Sequence, residues 1–192
     1  MNKQEKIIES IWDELELSLT ESGHPFHIFS IASINNGQPD ARNVVLRGVE
    51  RKKNMINFHT DSRSKKVSQL EEQADICALF YDKKKKVQLR VYGKTSYEKD
   101  IQKIENKWQN SKRMSKLCYL NKYPPGQNIS NPKDYLYDDI ALENIDKGLS
   151  NFSIVNINIK SIDWLFLNHE GHERMLIELK KKDSYEYNWI AP

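Results

Sequence analysis

Positively charged side chains and one serine gather between residues 42 and 66, where they could bind an anion. Ser64, Lys65 and Lys66 stand at the start of a predicted helix. Helix N-termini present unpaired N–H groups and a partial positive charge, so lysines there cost about 0.3–1 kcal/mol each unless an anion is bound. Arg42 and Arg47 lie in a predicted strand just upstream. The pattern indicates a phosphate site, although a solvated basic helix start would give the same pattern.

Two strands and one helix must position these side chains. Residues 44–46 are β-branched or apolar, and residues 55–60 alternate well enough to form the partner strand of a hairpin. The apolar period then changes to that of a helix over residues 62–73. The sequence therefore predicts a hairpin that is followed directly by a helix, with the cations at their junction.

Four short motifs, in this order, resemble the flavin-binding signature of the pyridoxamine 5'-phosphate oxidase family. They read R-N-V-V-L-R from Arg42, F-H-T-D from Phe58, S-K-K from Ser64 and Q-L-R-V-Y-G from Gln88. The family pattern runs Arg-x-x-x-Leu-Lys, Tyr-Thr, Ser-Arg-Lys and Gln-Val-Arg-x-x-Gly. The resemblance extends from about residue 25 to the C-terminus, and it implies that the chain binds FMN.

The resemblance also assigns roles to single residues. Arg42, Lys65 and Lys66 match ligands of the FMN phosphate, and Ser64 stands beside them at the helix start. Residues that match the strand running past the flavin ring, or contacts of the ring itself, are Val45, Leu46, Arg47, His59, Thr60 and Gln88. Gln127, which follows a Pro-Pro-Gly turn, matches a glutamine that the other subunit of a dimer supplies.

Near the C-terminus, Trp164 and Arg174 stand ten residues apart, as do the tryptophan and arginine that close over the flavin in the family. An aromatic face and a cation can both pack against an isoalloxazine ring. His172 resembles a histidine on the substrate side of the oxidase, and it is the candidate catalytic residue because histidine titrates near neutral pH. A surface histidine in a turn is the alternative interpretation.

The sequence departs from the family where the oxidase binds its phosphorylated substrate. Glu170 replaces an arginine, and Lys107, Ser111 and Ser115 stand where the family's helix carries Tyr, Arg and Ser. A buried anion that loses its cation is destabilised by about 2–5 kcal/mol. Pyridoxamine 5'-phosphate should therefore bind poorly unless a neighbouring cation, Lys112 or Arg113, compensates.

Composition fits a single globular domain over residues 1–192. The chain has 38% hydrophobic and 30% charged residues and a net charge of +3, a weak bias for a nucleic-acid-binding protein. The lysine run at 83–86 lies between two predicted strands and is predicted to be a solvated turn. Two cysteines without a C-x-x-C motif and the lack of a long apolar stretch predict a cytoplasmic protein with reduced thiols. No metal site is predicted.

The other elements are mainly strands. Helices are predicted over residues 3–21, 99–120 and 140–149, and the range 99–150 is read as a helical and loop insertion. Further strands are predicted at 27–34, 76–81, 87–97, 152–159, 162–167, 172–179 and 185–189. The fold class is thus mainly β with flanking helices (α+β), an antiparallel barrel. The resemblance sharpens this to the FMN-binding split β-barrel, whose members are typically homodimers with the flavin in the subunit interface.

The resemblance implies an FMN-dependent oxidoreductase that transfers a hydride from a small substrate to FMN. Pyridoxamine or pyridoxine 5'-phosphate is the substrate that the family suggests. An FMN-binding protein without oxidase turnover (a carrier, a sensor or a flavin reductase-like protein) is the alternative, and the departures at Glu170, Lys107 and Ser111 favour it. A basic nucleic-acid-binding module is supported only by the lysines. No nucleic-acid or membrane partner is expected.

Overall fold

The computed structural model describes residues 1–137, 143–180 and 184–192. The α-helices of this part of the chain are α1 (Lys3–Leu17), α2 (Lys65–Glu72), α3 (Ile101–Gln109) and α4 (Arg113–Leu117). The strands are β1 (Ile28–Asn35), β2 (Gln38–Glu50), β3 (Met55–Asp61), β4 (Asp75–Asp82), β5 (Val87–Tyr97), β6 (Phe152–Phe166), β7 (Glu173–Leu179) and β8 (Tyr185–Trp189). Short 3₁₀ helices span Arg51–Lys53, Cys118–Leu120 and Ile145–Asn151.

Six antiparallel strands close into a barrel, and one long strand splits it. The strand order is β3-β2-β1-β4-β5-β6, and β6 pairs back with β3. The first half of β6, up to Asn158, pairs with β3, whereas its second half, from Ser161, pairs with β7. β8 extends the sheet beyond β7. The predicted fold class, mainly β with flanking helices around a split antiparallel barrel, is confirmed.

A bulge marks the point at which β6 leaves β3. Tyr92 pairs with Ser161 and Gly93 with Ile159, so Lys160 has no partner in β5. A Cβ atom at Gly93 would lie 2.4 Å from the Asn158 carbonyl oxygen, and only glycine allows this approach of the two backbones. The strands predicted at 152–159 and 162–167 are therefore one strand. The sequence pattern indicated two because the bulge interrupts the alternation of apolar residues.

The hairpin of β1 and β2 positions the first cations. Asn36 and Gly37 have φ angles of 49° and 76°, as a two-residue turn of type I′ requires. Further along β2, Leu46 pairs with Phe58 and Gly48 with Asn57, which leaves Arg47 as the extra residue of a second bulge. Arg47 is exposed and Leu46 before it is buried, as the alternation of a strand predicts, so Arg47 faces the same side as Val45.

The apolar face of α1 packs against the barrel. Asn2 caps the helix: its side chain accepts a hydrogen bond from the Glu5 N–H, and the Glu5 carboxylate accepts one from the Asn2 N–H, each of 2.8 Å. Ile8, Ile11, Trp12 and Leu15 are buried in the core with the inner faces of the strands. The helix ends at Leu17, four residues before the predicted end. No helix in the described ranges is long and apolar enough to cross a membrane.

The predicted helix over 99–120 is two helices. α3 ends at Gln109 and α4 begins at Arg113, and the Ser111 hydroxyl between them donates back to the Lys107 carbonyl (2.7 Å). Local side-chain to backbone hydrogen bonds of this kind compete with the helical pattern. The predicted helix over 140–149 lies partly outside the described residues, and its last part belongs to the 3₁₀ helix Ile145–Asn151.

Candidate functional site

A cleft of about 780 Å³ lies between β2, β3, the start of α2 and the segment that joins α3 to α4. Four cationic side chains line it: Arg47, Lys66, Lys107 and Lys112. Among the described residues that line it, none carries a carboxylate. Such a concave surface with charge of one sign attracts an anionic ligand. We call it the basic cleft.

The basic cleft brings together two groups of residues that are far apart in the sequence. Five of the predicted cofactor-binding residues line it: Val45, Arg47, His59, Thr60 and Lys66. The second group comprises the residues at the family's substrate-binding helix positions: Lys107, Ser111 and Ser115. A ligand in the cleft can therefore contact the predicted flavin side and the predicted substrate side at once.

At one end of the basic cleft, Lys66 holds two hydroxyl groups. Its Nζ donates to Thr60 Oγ1 (3.0 Å) and to Ser64 Oγ (3.2 Å). Ser64 is the N-cap residue of α2, yet its side chain makes no capping hydrogen bond. Burial and, to a smaller degree, the nearby charge of Arg42 lower the pKa of Lys66. Within the described residues, Lys66 has no ion-pair partner, so this end of the cleft lacks a counter-anion.

Arg42 supplies a second cation close to Lys66. Its Nη1 donates to Ser33 Oγ (2.5 Å), its Nη2 donates to Gln69 Oε1 (3.4 Å), and the nearest carboxylate oxygen, of Asp40, is 3.7 Å from Nη1. Its Nε is buried and has no hydrogen-bond partner. Burial lowers the pKa of this guanidinium. A buried donor without a partner, beside a second cation and a helix N-terminus, fits a phosphate group.

His59 lies in the wall of the basic cleft as a neutral imidazole. Burial first, and then the positive charges of Arg47 and Lys107, lower the pKa of His59 to about 3. Its ring packs edge-to-face against Phe152, with 4.7 Å between the centroids, and its Nε2 is buried without a partner. The ring is therefore a hydrogen-bonding group for a polar ligand across the neutral pH range, and it is not an acid.

Three other predicted cofactor-binding residues, Leu46, Lys65 and Gln127, lie near the basic cleft, but their side chains do not line it. The Leu46 side chain is in the barrel core, so a ligand can reach only its backbone. Lys65 is exposed on the first turn of α2. A Cβ atom at Gly126 would lie 3.9 Å from the Lys65 side chain, which places the loop of Gln127 beside α2 of the same chain.

The remaining predicted residues lie away from the basic cleft. Gln88 pairs with Leu165, and Leu165 pairs with Arg174, so these three form one row across β5, β6 and β7. Trp164 pairs with Met175 and is buried on the opposite face of the sheet. Within a single chain, the residues predicted to bind the FMN phosphate thus lie close together. Trp164 and Arg174, which are predicted to close over the flavin ring, lie away from them.

His172 also lies outside the basic cleft. It is exposed in the loop before β7, where its Nδ1 accepts a hydrogen bond from the Asn168 N–H (3.1 Å). It lines a separate open groove of about 410 Å³ with Arg174 and Trp189. Its catalytic role stays a prediction.

Sequence reasoning missed a buried carboxylate that holds two arginines. Asp163, 5% exposed, accepts hydrogen bonds from Arg174 Nε (3.0 Å) and Nη2 (2.8 Å) and from Arg90 Nη2 (2.5 Å). The arginines lie on β5 and β7, 73 and 11 residues from Asp163 in the sequence. One signal existed: Asp163 is the single acidic residue in the apolar run I-D-W-L-F. The Arg174 guanidinium is therefore already paired.

An exposed apolar surface lies on the same side of the sheet as Gln88 and Arg90. Its members are Ile28, Leu79, Tyr81 and Tyr92, which are 55%, 39%, 45% and 37% exposed. The register places Tyr81 opposite Gln88 and Leu79 opposite Arg90. Contiguous apolar surface of this kind is typical of a protein–protein interface. We call it the outer apolar face.

A split antiparallel barrel, with cations and a helix N-terminus beside a cleft, is the architecture of a flavin-binding split barrel. Residues 9–98 match the pyridoxamine 5'-phosphate oxidase, FMN-binding domain. This segment is thus similar to the FMN-binding domain of the pyridoxamine 5'-phosphate oxidase family, and the predicted resemblance is confirmed. The match includes the motifs from Arg42 to Gln88 and ends before Gln127, Trp164 and Arg174.

Solved structures share the fold at low sequence identity. A pyridoxamine 5'-phosphate oxidase-related, FMN-binding protein from Nostoc punctiforme has a TM-score of 0.72 at 20% identity, over 100% of this chain and 98% of its own. PhzG from Burkholderia lata, solved with tetrahydrophenazine-1-carboxylic acid, has a TM-score of 0.70 at 14% identity, over 96% and 92%. A Listeria innocua protein described as a putative pyridoxamine 5'-phosphate oxidase has 0.52 at 17%, over 80% and 94%. No curated protein matches the sequence.

Proposed function

We propose that this protein is an FMN-binding oxidoreductase and that Arg42, Ser64 and Lys66 bind the cofactor phosphate. The observation that carries the proposal is the half-buried Lys66 ammonium, which has no carboxylate partner among the described residues, beside the Arg42 guanidinium, whose buried Nε lacks a hydrogen-bond partner. Both features are costly unless an anion is bound, and a phosphate at the start of α2 would satisfy them. Lys65, exposed on the same helical turn, would add charge at longer range.

The remaining residues of the basic cleft would bind and orient the other parts of the ligands. When bound, FMN supplies a hydride acceptor. Val45, Thr60 and the Leu46 backbone would flank the ring, Arg47 would contribute positive charge, and neutral His59 would offer one hydrogen bond. Hydride transfer depends on positioning rather than on a strong base, so the cleft needs no catalytic dyad.

We propose that two copies of the chain complete the site. Gln88 and Arg174 lie beside the outer apolar face, and neither they nor Trp164 reach the basic cleft of their own chain. A homodimer formed through this face would bury its apolar side chains and bring Gln88 and Arg174 to the cleft of the second copy. Trp164 is buried on the opposite face of the sheet and would not be among these residues. Gln127 would belong to this set if its loop contacts the second copy. A cytoplasmic location stays a prediction from the sequence.

The substrate we propose is a small anion that contacts Lys107, Ser111, Lys112 and Ser115. Pyridoxamine 5'-phosphate is the first candidate because the family domain suggests it. A carboxylated aromatic compound is the second, because PhzG, which shares the fold, was solved with such a molecule. The two lysines compensate in charge for the arginine that the sequence lacks at position 111.

The second candidate function is an FMN-binding protein without oxidase turnover. It is favoured by the bond network of Asp163, which occupies the Arg174 guanidinium that the resemblance assigns to the flavin site. An arginine held in this way is less free to contact a ligand.

An oxygen-free absorbance experiment separates the candidates. The protein is loaded with FMN and mixed with pyridoxamine 5'-phosphate, and the visible absorption band of the oxidised flavin is followed. Bleaching supports the oxidoreductase, and a Lys112→Gln variant should then bleach more slowly at low substrate. If FMN binds but no tested anion bleaches it, the second candidate stands. Failure of FMN to bind would refute both.

A further inference from the structure

A second cavity lies beneath α1, separate from the basic cleft. Its volume is about 240 Å³, and the two sites share no lining residue. Its walls are apolar and consist of Ile7, Ile11, Phe26, Val87, Leu89 and Trp164. Protein cores are normally close-packed, and an apolar cavity of about 150 Å³ is large enough to bind benzene. This cavity can therefore hold a larger apolar group.

Three lysines lie at the mouth of the cavity, and only two of them form an ion pair with a carboxylate of the described residues. Lys3 pairs with Glu173 (2.7 Å), and Lys85 pairs with Glu14. Lys6 makes no ion pair or side-chain hydrogen bond with any residue of the described ranges. It is the lysine at the mouth that remains available for a ligand.

The two carboxylates at the mouth are held by other groups of the protein. Glu14 is engaged by Lys85 and by His24 Nε2 (3.0 Å). Asp82 is buried and accepts hydrogen bonds from the N–H groups of Lys84 (2.8 Å) and Lys85 (3.0 Å), which stabilise its negative charge. Neither carboxylate forms an ion pair with Lys6, so the Lys6 ammonium is the group that can pair with the carboxylate of a ligand.

We propose that this cavity binds a small apolar molecule with one carboxylate group, its ring or chain among the apolar walls and its carboxylate at Lys6. The volume of the cavity limits the size of the ligand's apolar part, because its walls belong to the barrel and to a helix that is capped and held by ion pairs. The Lys6 ammonium favours a carboxylate as the ligand's charged group. The site is distinct from the proposed flavin and substrate site.

The probe is 2-naphthoate, and the readout is the NMR signals of the Trp164 indole and the Phe26 and Leu89 amides in the full-length protein. We expect saturable shifts at these positions. Ile7→Phe fills the cavity and should remove the shifts. Lys6→Gln should weaken 2-naphthoate binding roughly two- to five-fold and leave binding of the neutral 2-naphthylmethanol unchanged.

Lys52→Gln is the matched control, because Lys52 is an exposed lysine outside both sites. It should leave binding of both probes as in the unmodified protein. The proposal is overturned if 2-naphthoate causes no saturable shifts, or if Lys6→Gln and Lys52→Gln weaken it equally. It is also overturned if FMN competes with 2-naphthoate, since the cavity would then belong to the flavin site. Loss of FMN binding alone would contradict only the proposed function.

Discussion

Single side chains define the proposed phosphate site, because each has a hydrogen-bonding or charge requirement that the chain leaves unmet. Arg42 keeps a buried donor without a partner, Ser64 does not cap its helix, and Lys66 is desolvated without a carboxylate. Natural proteins rarely leave such groups unsatisfied, except where a ligand completes them. The same reasoning makes the site testable one residue at a time.

Lys66→Met should weaken FMN binding about 10- to 100-fold, because a charge-assisted bond from a buried lysine to phosphate is lost. Lys65→Met is the matched comparison, and it should weaken binding by less than about three-fold because that side chain is exposed. Fluorescence titration of FMN measures both. The apoprotein of Lys66→Met should be no less stable, since burial and Arg42 oppose the charge of Lys66. Equal effects of the two changes would contradict the assignment.

His59 should make the protein sensitive to mild acid. Its pKa is about 3 in the folded chain against 6.5 when exposed, so between these values only the unfolded chain takes up the proton. Stability is therefore full above pH 6.5 and falls as the pH drops towards 3. From pH 6.5 to 5.0, the unmodified protein should lose about 1–1.5 kcal/mol more unfolding free energy than His59→Asn. Urea unfolding tests this, with exposed His169→Asn behaving like the unmodified protein.

At the scale of elements, two bulges interrupt the pairing of the barrel strands. One lies at Arg47, at the edge of the basic cleft, and shifts the register of β2 against β3. The other lies at Lys160, where β6 leaves β3 and begins to pair with β7. Each bulge has a glycine beside it. The missing side chain lets the Asn57 side chain approach Gly48 and the Asn158 carbonyl oxygen approach Gly93.

Gly48→Ala tests the first bulge. A Cβ atom there would lie 2.3 Å from the Asn57 side-chain nitrogen, and Asn57 is buried, so we expect a loss of about 1–3 kcal/mol of unfolding free energy. Gly23→Ala is the control, because no atom lies within 4 Å of its added Cβ. Adding Asn57→Ala to Gly48→Ala should cost less than the sum of the two single changes. Strict additivity in denaturant titrations would mean that the clash does not occur.

At the scale of the whole molecule, the arrangement of predicted site residues favours an assembly of two copies. The basic cleft holds the proposed phosphate side, whereas Gln88 and Arg174 lie beside the outer apolar face and do not line the cleft of their own chain. A second copy could supply them, and it would also cover apolar side chains that one chain leaves in water.

Leu79→Lys should therefore disrupt the dimer and weaken FMN binding together, because it places a charge in the middle of the outer apolar face. Sedimentation should give twice the 22.6 kDa chain mass for the unmodified protein and a shift towards the single chain for the variant. Ile101→Lys is the control, since Ile101 is an isolated exposed residue on α3, 69% exposed. A variant that stays dimeric, or that becomes monomeric with unchanged FMN affinity, would refute the shared site.

The sequence by itself determined the elements and the local chemistry. Alternation of apolar residues located the strands. The run from Arg42 to Lys66 contains the residues of the proposed anion site, because β2, β3 and α2 are consecutive and their side chains contact one another. Boundaries were wrong where a local structure broke the period, as at the Lys160 bulge and at Ser111. These interruptions are caused by strand pairing and by a side-chain hydrogen bond, and the spacing of apolar residues in the sequence does not indicate either.

Only the tertiary structure decided which distant residues meet. It placed Lys107 and Lys112 in the same cleft as His59, gave Asp163 two arginines from other strands, and put Trp164 and Arg174 on opposite faces of one sheet. The physical reason is that closure of the barrel fixes register and side-chain direction through pairings between residues far apart in the chain. A one-residue change of register, as each bulge introduces, reverses the face on which every later side chain lies.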